Sequence, residues 1–339
     1  MRRVLVVGGG SIGERHARCF INSGRAEVSL CESRRQRLEE MAGRYRLAGT
    51  FDDVGKVEMS SFDAVVICVP ANLHVPLAQR AVAAGCHALI EKPLSTDLAG
   101  VPELSRAAEK AGVTVGVAYV RRAMRMYQIA KERLDSGAMG EVLDATYTVG
   151  YDHRVARPDY RNTYEVRRDM GGGAIQDALS HLVNLMQWLV GPVSEVMACY
   201  DHLVVEGMDA EDTASVLLRF RGRRTLGNIH SCMWHPCRTD RLALSSNDHQ
   251  MVCDLTAEKL GVLDRASSAW AWTDVPYGSR DAKGQVDEPF MVEASNFLDA
   301  IEGKAPVLCS LEEAAHTVQI CLAATESGRT RTAVRLNDE

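Results

Sequence analysis

Three places in this chain carry residue types whose spacing could do chemistry. The first is Gly8-Gly9-Gly10-Ser11-Ile12-Gly13, a Gly-x-Gly-x-x-Gly pattern directly after the apolar run Val4-Leu5-Val6-Val7 and at the head of a helix-like stretch. That is the form of a dinucleotide-binding crossover. Gly8 permits the tight turn, Gly10 lets the backbone approach a pyrophosphate, and Gly13 lets the helix pack close to the strand. The helix N-terminus at Ser11 and Ile12 then meets the phosphate charge. Glu32 closes a second apolar run at 26–30, roughly 20 residues after the glycines, where a carboxylate would grip ribose hydroxyls. Ser33, Arg34 and Arg35 come next in the chain and could receive a 2′-phosphate instead. The sequence therefore favours NAD and leaves NADP open.

The second place is Glu91-Lys92-Pro93, which comes after a short apolar strand and so falls at the carboxyl edge of a parallel sheet, where ligands of such folds bind. The third is the pair Asp177 and His181, four residues apart in a segment of helical period, so that one helix face presents a carboxylate and an imidazole. Read without context, that pair is more often a surface ion pair or a satisfied core histidine, and Lys92 could be a strand end before a turn.

The elements that must position these groups are set by periodicity. Up to about residue 120, apolar runs at 4–7, 26–30, 63–69, 87–90 and 113–118 alternate with helical segments near 11–23, 33–42, 73–84 and 97–111. This is the sequence form of a parallel sheet covered on both faces. Gly24, Gly43, Gly85 and Gly112 fall where those helices should stop. Beyond, a helix near 123–136 gives way to alternating strands near 141–151, 195–206, 213–221, 224–233, 241–246 and 250–254, with a helix after Gly171-Gly172-Gly173 and two more near 289–302 and 310–327. The expected fold is α/β: a doubly wound parallel sheet of the Rossmann type in residues 1–120, and an α/β domain with an open, largely antiparallel sheet in residues 121–339.

The bulk numbers limit the partners. A chain of 339 residues exceeds one ordinary core and suggests two domains. A net charge of -6 argues against nucleic acid or an anionic membrane as the main partner. The run after Met1-Arg2-Arg3 stops at Val7 and reads as a first strand, not a secretory leader. Ten cysteines without regular spacing read as buried thiols of a cytoplasmic protein. His230, Cys232, His235 and Cys237 cluster, but no second paired ligand motif accompanies them, so no metal is expected.

Three blocks together, GGGSIGERHAR from Gly8, HALIEKPLS from His87 and GGGAIQDALSHLVNLMQWLVG from Gly171, resemble the Gfo/Idh/MocA family of NAD(P)-dependent sugar and cyclitol oxidoreductases, over nearly the whole chain. The resemblance implies that Lys92 bonds the reacting hydroxyl, that His181 is the acid/base and that Asp177 orients the substrate or the imidazole. A histidine suits proton exchange near neutrality because its unperturbed pKa is roughly 6.5. Pro70, Asn72 and His74 match a loop that runs beside the nicotinamide ribose in the family, and Glu91 belongs with the cofactor set. Arg122 looks like the family's arginine after the cofactor domain, although Arg125 stands where many members have proline. Arg161 and Tyr164, in the Arg- and Tyr-rich segment 157–164, are expected to meet a polyhydroxylated or acidic ligand; the plainer reading of that segment is a solvated loop.

The activity these residues imply is that of a dehydrogenase or reductase acting on a hydroxyl or keto carbon of a sugar, sugar acid, nucleotide sugar or cyclitol, in a homodimer or homotetramer. Two other readings stand beside it: a glycosidase or lyase that oxidises its substrate transiently with bound NAD, and a nucleotide-sensing regulator without catalysis. Residues alone do not choose between Lys92 and His181 as proton acceptor.

Overall fold

The alternation expected of the first third is present. In a computed structural model, which describes residues 1–280, 284 and 286–336, the strands are β1 (Arg2–Val7), β2 (Ala26–Cys31), β3 (Gly49–Phe51), β4 (Ala64–Ile67), β5 (His87–Glu91) and β6 (Val115–Ala118). The helices between them are α1 (Ser11–Asn22), α2 (Arg35–Arg44), α3 (His74–Ala83) and α4 (Val101–Ala111). All strands run parallel in the order β3-β2-β1-β4-β5-β6. Strand order reverses between β1 and β4, so the crevice at their carboxyl ends is where such a sheet takes a ligand. The glycine loop leaves β1 directly. Val4, Leu5, Val6 and the whole of β4 are fully buried, which is why these strands read as unbroken apolar runs; each such valine, leucine or isoleucine contributes about 1.5–3 kcal/mol.

Two details depart from the sequence reading. The edge strand β3 spans three residues, too few for a period to register. Gly43 lies inside α2, which ends at Arg44 because Tyr45 turns to extended backbone; Gly24, Gly85 and Gly112 do stop their helices with positive φ.

The second sheet is built from β7 (Asp144–Asp152), β8 (Val193–Asp201), β9 (Thr213–Phe220), β10 (Leu226–Cys232), β11 (Trp234–Ser245), β12 (His249–Asp254), β13 (Lys259–Asp264) and β14 (Ala269–Asp274), with the helices α5 (Arg125–Asp135), α6 (His153–Ala156) and α7 (Ser180–Val190). The chain closes with α8 (Glu288–Ile301), α9 (Leu311–Thr330) and β15 (Val334–Arg335). The order is β14-β13-β12-β11-β7-β10-β9-β8-β15, with β7 and β10 parallel and the other described pairs antiparallel. Ala214, Val216, Leu218 and Phe220 of β9 are buried while Ser215, Leu217 and Arg219 are exposed, the mark of a sheet with one covered face.

Sequence reading missed β13 and β14 and shortened β11. Every residue of β14 is exposed, so no apolar face marks it. Pro236 sits in β11 where the register with β7 shifts between Trp234 and Thr239, an irregularity that accommodates a proline within a strand.

Two compact units result, Met1–Ala123 with Gly278–Ala315, and Met124–Tyr277 with His316–Glu339. A single cut after residue 120 gives no place to Gly278–Ala315, which packs with the first unit. There α8 lies on α1: Phe290 meets His16 edge-on with ring centroids 6.0 Å apart, and Phe297 meets Phe20 at 6.3 Å.

Candidate active site

The glycine loop is a cradle that no other residue type would form. Gly8 has φ of +98°, and a Cβ there would lie 2.3 Å from the Cys68 carbonyl oxygen. A Cβ on Gly13 would lie 1.9 Å from the Gly8 carbonyl oxygen, whereas one on Gly10 would meet no protein atom within 4 Å. Gly10 caps α1 without a side-chain hydrogen bond. The first amides of α1, at Ser11 and Ile12, are thus left without a capping side chain under an open approach, an arrangement that fits a pyrophosphate.

Glu32, at the end of β2, is locked to this loop. Its Oε2 accepts from the Gly9 amide at 2.8 Å and from Arg34 Nη2 at 3.1 Å, and its Oε1 from the Arg34 amide at 2.9 Å and Arg34 Nε at 3.0 Å. Burial opposes ionisation of the carboxyl, but Arg34 and the two amides outweigh it and hold the group below the usual carboxylate range. All four acceptor positions are occupied, so a ribose diol must displace part of the Arg34 side chain. That side chain is 65% exposed, and an exposed pair of this kind contributes little. Ser33 beside it is exposed.

Pro70 and Asn72 stand at the carboxyl end of β4, the first half-buried and the second exposed. His74 is placed differently from the expectation. It is fully buried, its Nδ1 lies 2.9 Å from the Pro93 carbonyl and its Nε2 2.8 Å from the Val69 carbonyl. Burial depresses its basicity more than the two carbonyls raise it. His74 therefore acts from inside, tying the loop after β4 to the Lys92-Pro93 turn, whose peptide bond is cis.

Glu91 also turns inward. Its Oε1 is 2.7 Å from Nε2 of His16 on α1, and its Oε2 accepts the Lys92 amide at 2.9 Å. It holds the glycine-loop helix to the Lys92 backbone. Lys92 itself is half-buried at the carboxyl edge of β5. Sequence reasoning passed over His16. Its signal was the spacing Gly13, His16, Ala17, Phe20, which puts a polar residue on the buried face of α1.

In the second unit Asp177 does not sit on a regular helix. Residues Ala174–Leu179 form a π-helical turn that passes into α7 at Ser180, so the four-residue spacing to His181 crosses a change of helix type. Such turns recur at functional sites. Asp177 is 7% exposed and its Oδ1 accepts from the Tyr164 hydroxyl at 3.2 Å; His181 is half-buried at the start of α7. The triple glycine explains how Tyr164 arrives. A Cβ on Gly172 would lie 2.6 Å from the Tyr164 carbonyl oxygen and 2.4 Å from that of Glu165, and Gly173, with φ of +101°, would place one 2.7 Å from Glu211 Oε1. Glu211, 3% exposed, accepts the Ile175 amide at 2.9 Å and pairs with Arg168 at 3.2 Å. It caps the π-turn, and no sequence signal beyond an acidic pair before β9 announced it.

Of the residues expected to meet substrate, Arg122 is drawn inside. Arg122 is 1% exposed and donates from Nη1 to the Leu308 carbonyl at 2.9 Å and to Glu313 at 2.7 Å. It braces the first unit from within. Arg161 lies over the Tyr160 ring at 4.7 Å and 3.6 Å from Glu206, and Arg157 pairs with buried Glu165 at 3.1 Å. The segment thus folds on its own charges and delivers Tyr164. Cys199 and Cys237 are exposed thiols, the other eight cysteines being buried. Among the described residues no three metal-ligating side chains converge, and no helix is long and apolar enough to cross a membrane.

Comparison with known proteins matches both units to one family. Residues 2–119 match the model of an oxidoreductase family with an NAD-binding Rossmann fold, and residues 127–248 match the GFO/IDH/MocA C-terminal domain. Myo-inositol 2-dehydrogenase of Thermotoga maritima is 29% identical over 65% of each chain, and scyllo-inositol 2-dehydrogenase (NAD(+)) of Bacillus subtilis is 23% identical over 99% of this chain and 96% of its own. The matches to an uncharacterized Synechocystis oxidoreductase and to a Streptomyces violaceoruber dTDP-sugar 3-reductase span 54% and 45% of those proteins. Among solved structures, levoglucosan dehydrogenase in complex with NADH superposes with a TM-score of 0.89 at 20% identity over the full length of both chains. With an NAD-binding first unit and this C-terminal domain both matched, the chain belongs to the Gfo/Idh/MocA family of oxidoreductases.

Proposed function

We propose that this protein is an NAD-dependent dehydrogenase of a small polyhydroxylated substrate in the cytoplasm, a sugar, sugar acid, nucleotide sugar or cyclitol, with Lys92, Asp177 and His181 as its catalytic residues. The observation that carries the reading is Asp177 held by Tyr164 on a π-turn four residues before His181, a carboxylate and an imidazole set in place by the fold. When bound, NAD supplies the acceptor for hydride at nicotinamide C4. His181 takes the hydroxyl proton as the C–H hydride departs and the carbon–oxygen double bond forms. Lys92 stabilises the negative charge developing on that oxygen. Asp177 holds a neighbouring hydroxyl or the imidazole, and Tyr164 fixes its rotamer. The inositol dehydrogenases among the relatives support this substrate class, and Glu32 at the end of β2 supports NAD over NADP.

The test is to titrate the purified protein with NAD and NADP, then to screen sugars, sugar acids and inositols for absorbance of reduced nicotinamide. Steady NADH formation with one polyol is the expected result. Tight NAD binding with no reduction by any of them, together with hydrolysis or elimination of a glycoside, would replace the dehydrogenase by an enzyme that oxidises its substrate transiently.

The open face of the second sheet supports a homodimer or homotetramer. Met197 and Leu217, cross-strand neighbours on β8 and β9, are 50% and 53% exposed, and Leu226 on β10 is 50% exposed. Large apolar side chains exposed on one sheet face mark an interaction surface. Light scattering coupled to size exclusion should give two or four copies, and Leu217→Glu should lower that number; a monomer in both cases rejects the assembly.

A further inference from the structure

Behind the Lys92 turn the first unit encloses a second carboxyl group that the reaction does not use. Glu293, on α8 one turn after Phe290, is 3% exposed, and neither carboxyl oxygen has a hydrogen-bond partner among the described residues. Its charge acts on Glu91 at the end of β5 and on the thiols of Cys19 on α1 and Cys68 at the end of β4, and Phe290, one turn before it, meets His16 of α1 edge-on. Burial holds both thiols neutral, Cys19 pushed up to about 12 and Cys68 well above its ordinary value. Arg15 and Arg18 of α1 are engaged with Asp287 at 3.6 Å and 2.6 Å.

Two carboxyl groups in one enclosure cannot both ionise cheaply. Glu91 receives a donor on each oxygen, His16 on one and the Lys92 amide on the other. Nδ1 of His16 has no hydrogen-bond partner among the described residues. Glu293 receives none, and an isolated buried carboxylate is costly enough that the group holds its proton instead. We propose that Glu293 is a positioning residue for Lys92: by remaining uncharged it leaves Glu91 as the one anion of the cluster, and Glu91 then ties the glycine-loop helix to the Lys92 backbone. The proposal rests on the reading of Lys92 as catalytic, but its consequences reach cofactor binding first.

Burial, and then the charge of Glu91, push the Glu293 carboxyl well above the usual range. Between that range and the folded value, the native state keeps a proton that the unfolded chain has released. Stability therefore falls as pH rises through this window. Ionisation at its upper end sets a second charge beside Glu91 and loosens the tie to Lys92.

NADH affinity, measured by nucleotide fluorescence from neutral pH to the alkaline limit of folding, tests this in wild type, Glu293→Gln and Glu91→Gln. Wild-type affinity should fall on the alkaline side, and Glu293→Gln, which mimics the neutral acid, should remove that fall. Glu91→Gln should bind NADH about tenfold more weakly at every pH, because an amide cannot accept from both donors. The carboxylic-acid carbonyl band in the infrared spectrum should be lost in Glu293→Gln; should that variant not fold, Glu293→Leu serves. An alkaline fall that persists in Glu293→Gln, or a carboxylic-acid band unchanged by it, overturns the proposal. No sugar enters the measurement, so failure of the dehydrogenase reading would leave this result standing.

Discussion

Lys92→Met and His181→Ala are each expected to lower kcat by about 100- to 10,000-fold, the usual worth of a positioned acid, base or charge stabiliser, while NADH still binds. On the proposed mechanism each group acts on a charge that exists only as the hydride leaves. Lys92 stands at the carboxyl edge of β5, where its backbone is held by Glu91 and its turn by His74. Removing its ammonium leaves those backbone contacts in place, so the cofactor edge survives. His181 begins α7 on the far side of the π-turn from Asp177, and an alanine there keeps the helix intact. Asp177→Asn should fall between these and wild type, since the amide retains the acceptor for the Tyr164 hydroxyl but loses the charge. Single-turnover reduction of NAD by the preferred substrate separates this from a binding defect. Full activity in both Lys92→Met and His181→Ala would remove these residues from the chemistry.

The second large effect is a contrast between two glycines three residues apart. Gly13→Ala should lose both folding stability and NADH binding, because its methyl group would lie 1.9 Å from the Gly8 carbonyl oxygen. Backbone atoms must part to admit it, at a cost of about 3 kcal/mol. Gly10→Ala should melt within a few degrees of wild type, since its Cβ meets no protein atom within 4 Å and its φ of -63° suits alanine. Yet it should bind NADH at least tenfold more weakly, because the space it fills is the approach to the amides of α1. Thermal melts and NADH titrations of the two variants decide the matter. A Gly10→Ala protein with wild-type NADH affinity would mean that the pyrophosphate does not pass over that residue.

The two glycines also show what was readable before folding. A strand, a glycine turn and a helix entry are contiguous, so Val4-Leu5-Val6-Val7 and Gly8 to Gly13 declare their geometry through local sterics alone. The same holds for Glu32 at a strand end and for the unbroken apolar run of β4, whose two-sided burial leaves no polar alternation. Asp177 and His181 were legible as a pair, but the π-turn between Gly173 and Ser180 was not, since it depends on Glu211 arriving from 36 residues away to bond the Ile175 amide.

Arg122 and His74 were placed by contacts that chain order does not show, for a related reason. A side chain's type shows what it can bind, and only the packed chain shows which carbonyl or carboxylate reaches it first. Arg122 meets Leu308 and Glu313, 186 and 191 residues on. The cluster of His16, Glu91 and Glu293 likewise joins three segments that are remote in the chain, brought together by the return of Gly278–Ala315 to the first unit. By itself the sequence determined the strongly periodic elements, the cofactor loop and the chemical types at the site, because these rest on local periodicity and sterics. Tertiary structure alone decided which polar groups face a ligand and which are consumed inside, because burial and hydrogen-bond partners are properties of neighbours that chain order does not specify.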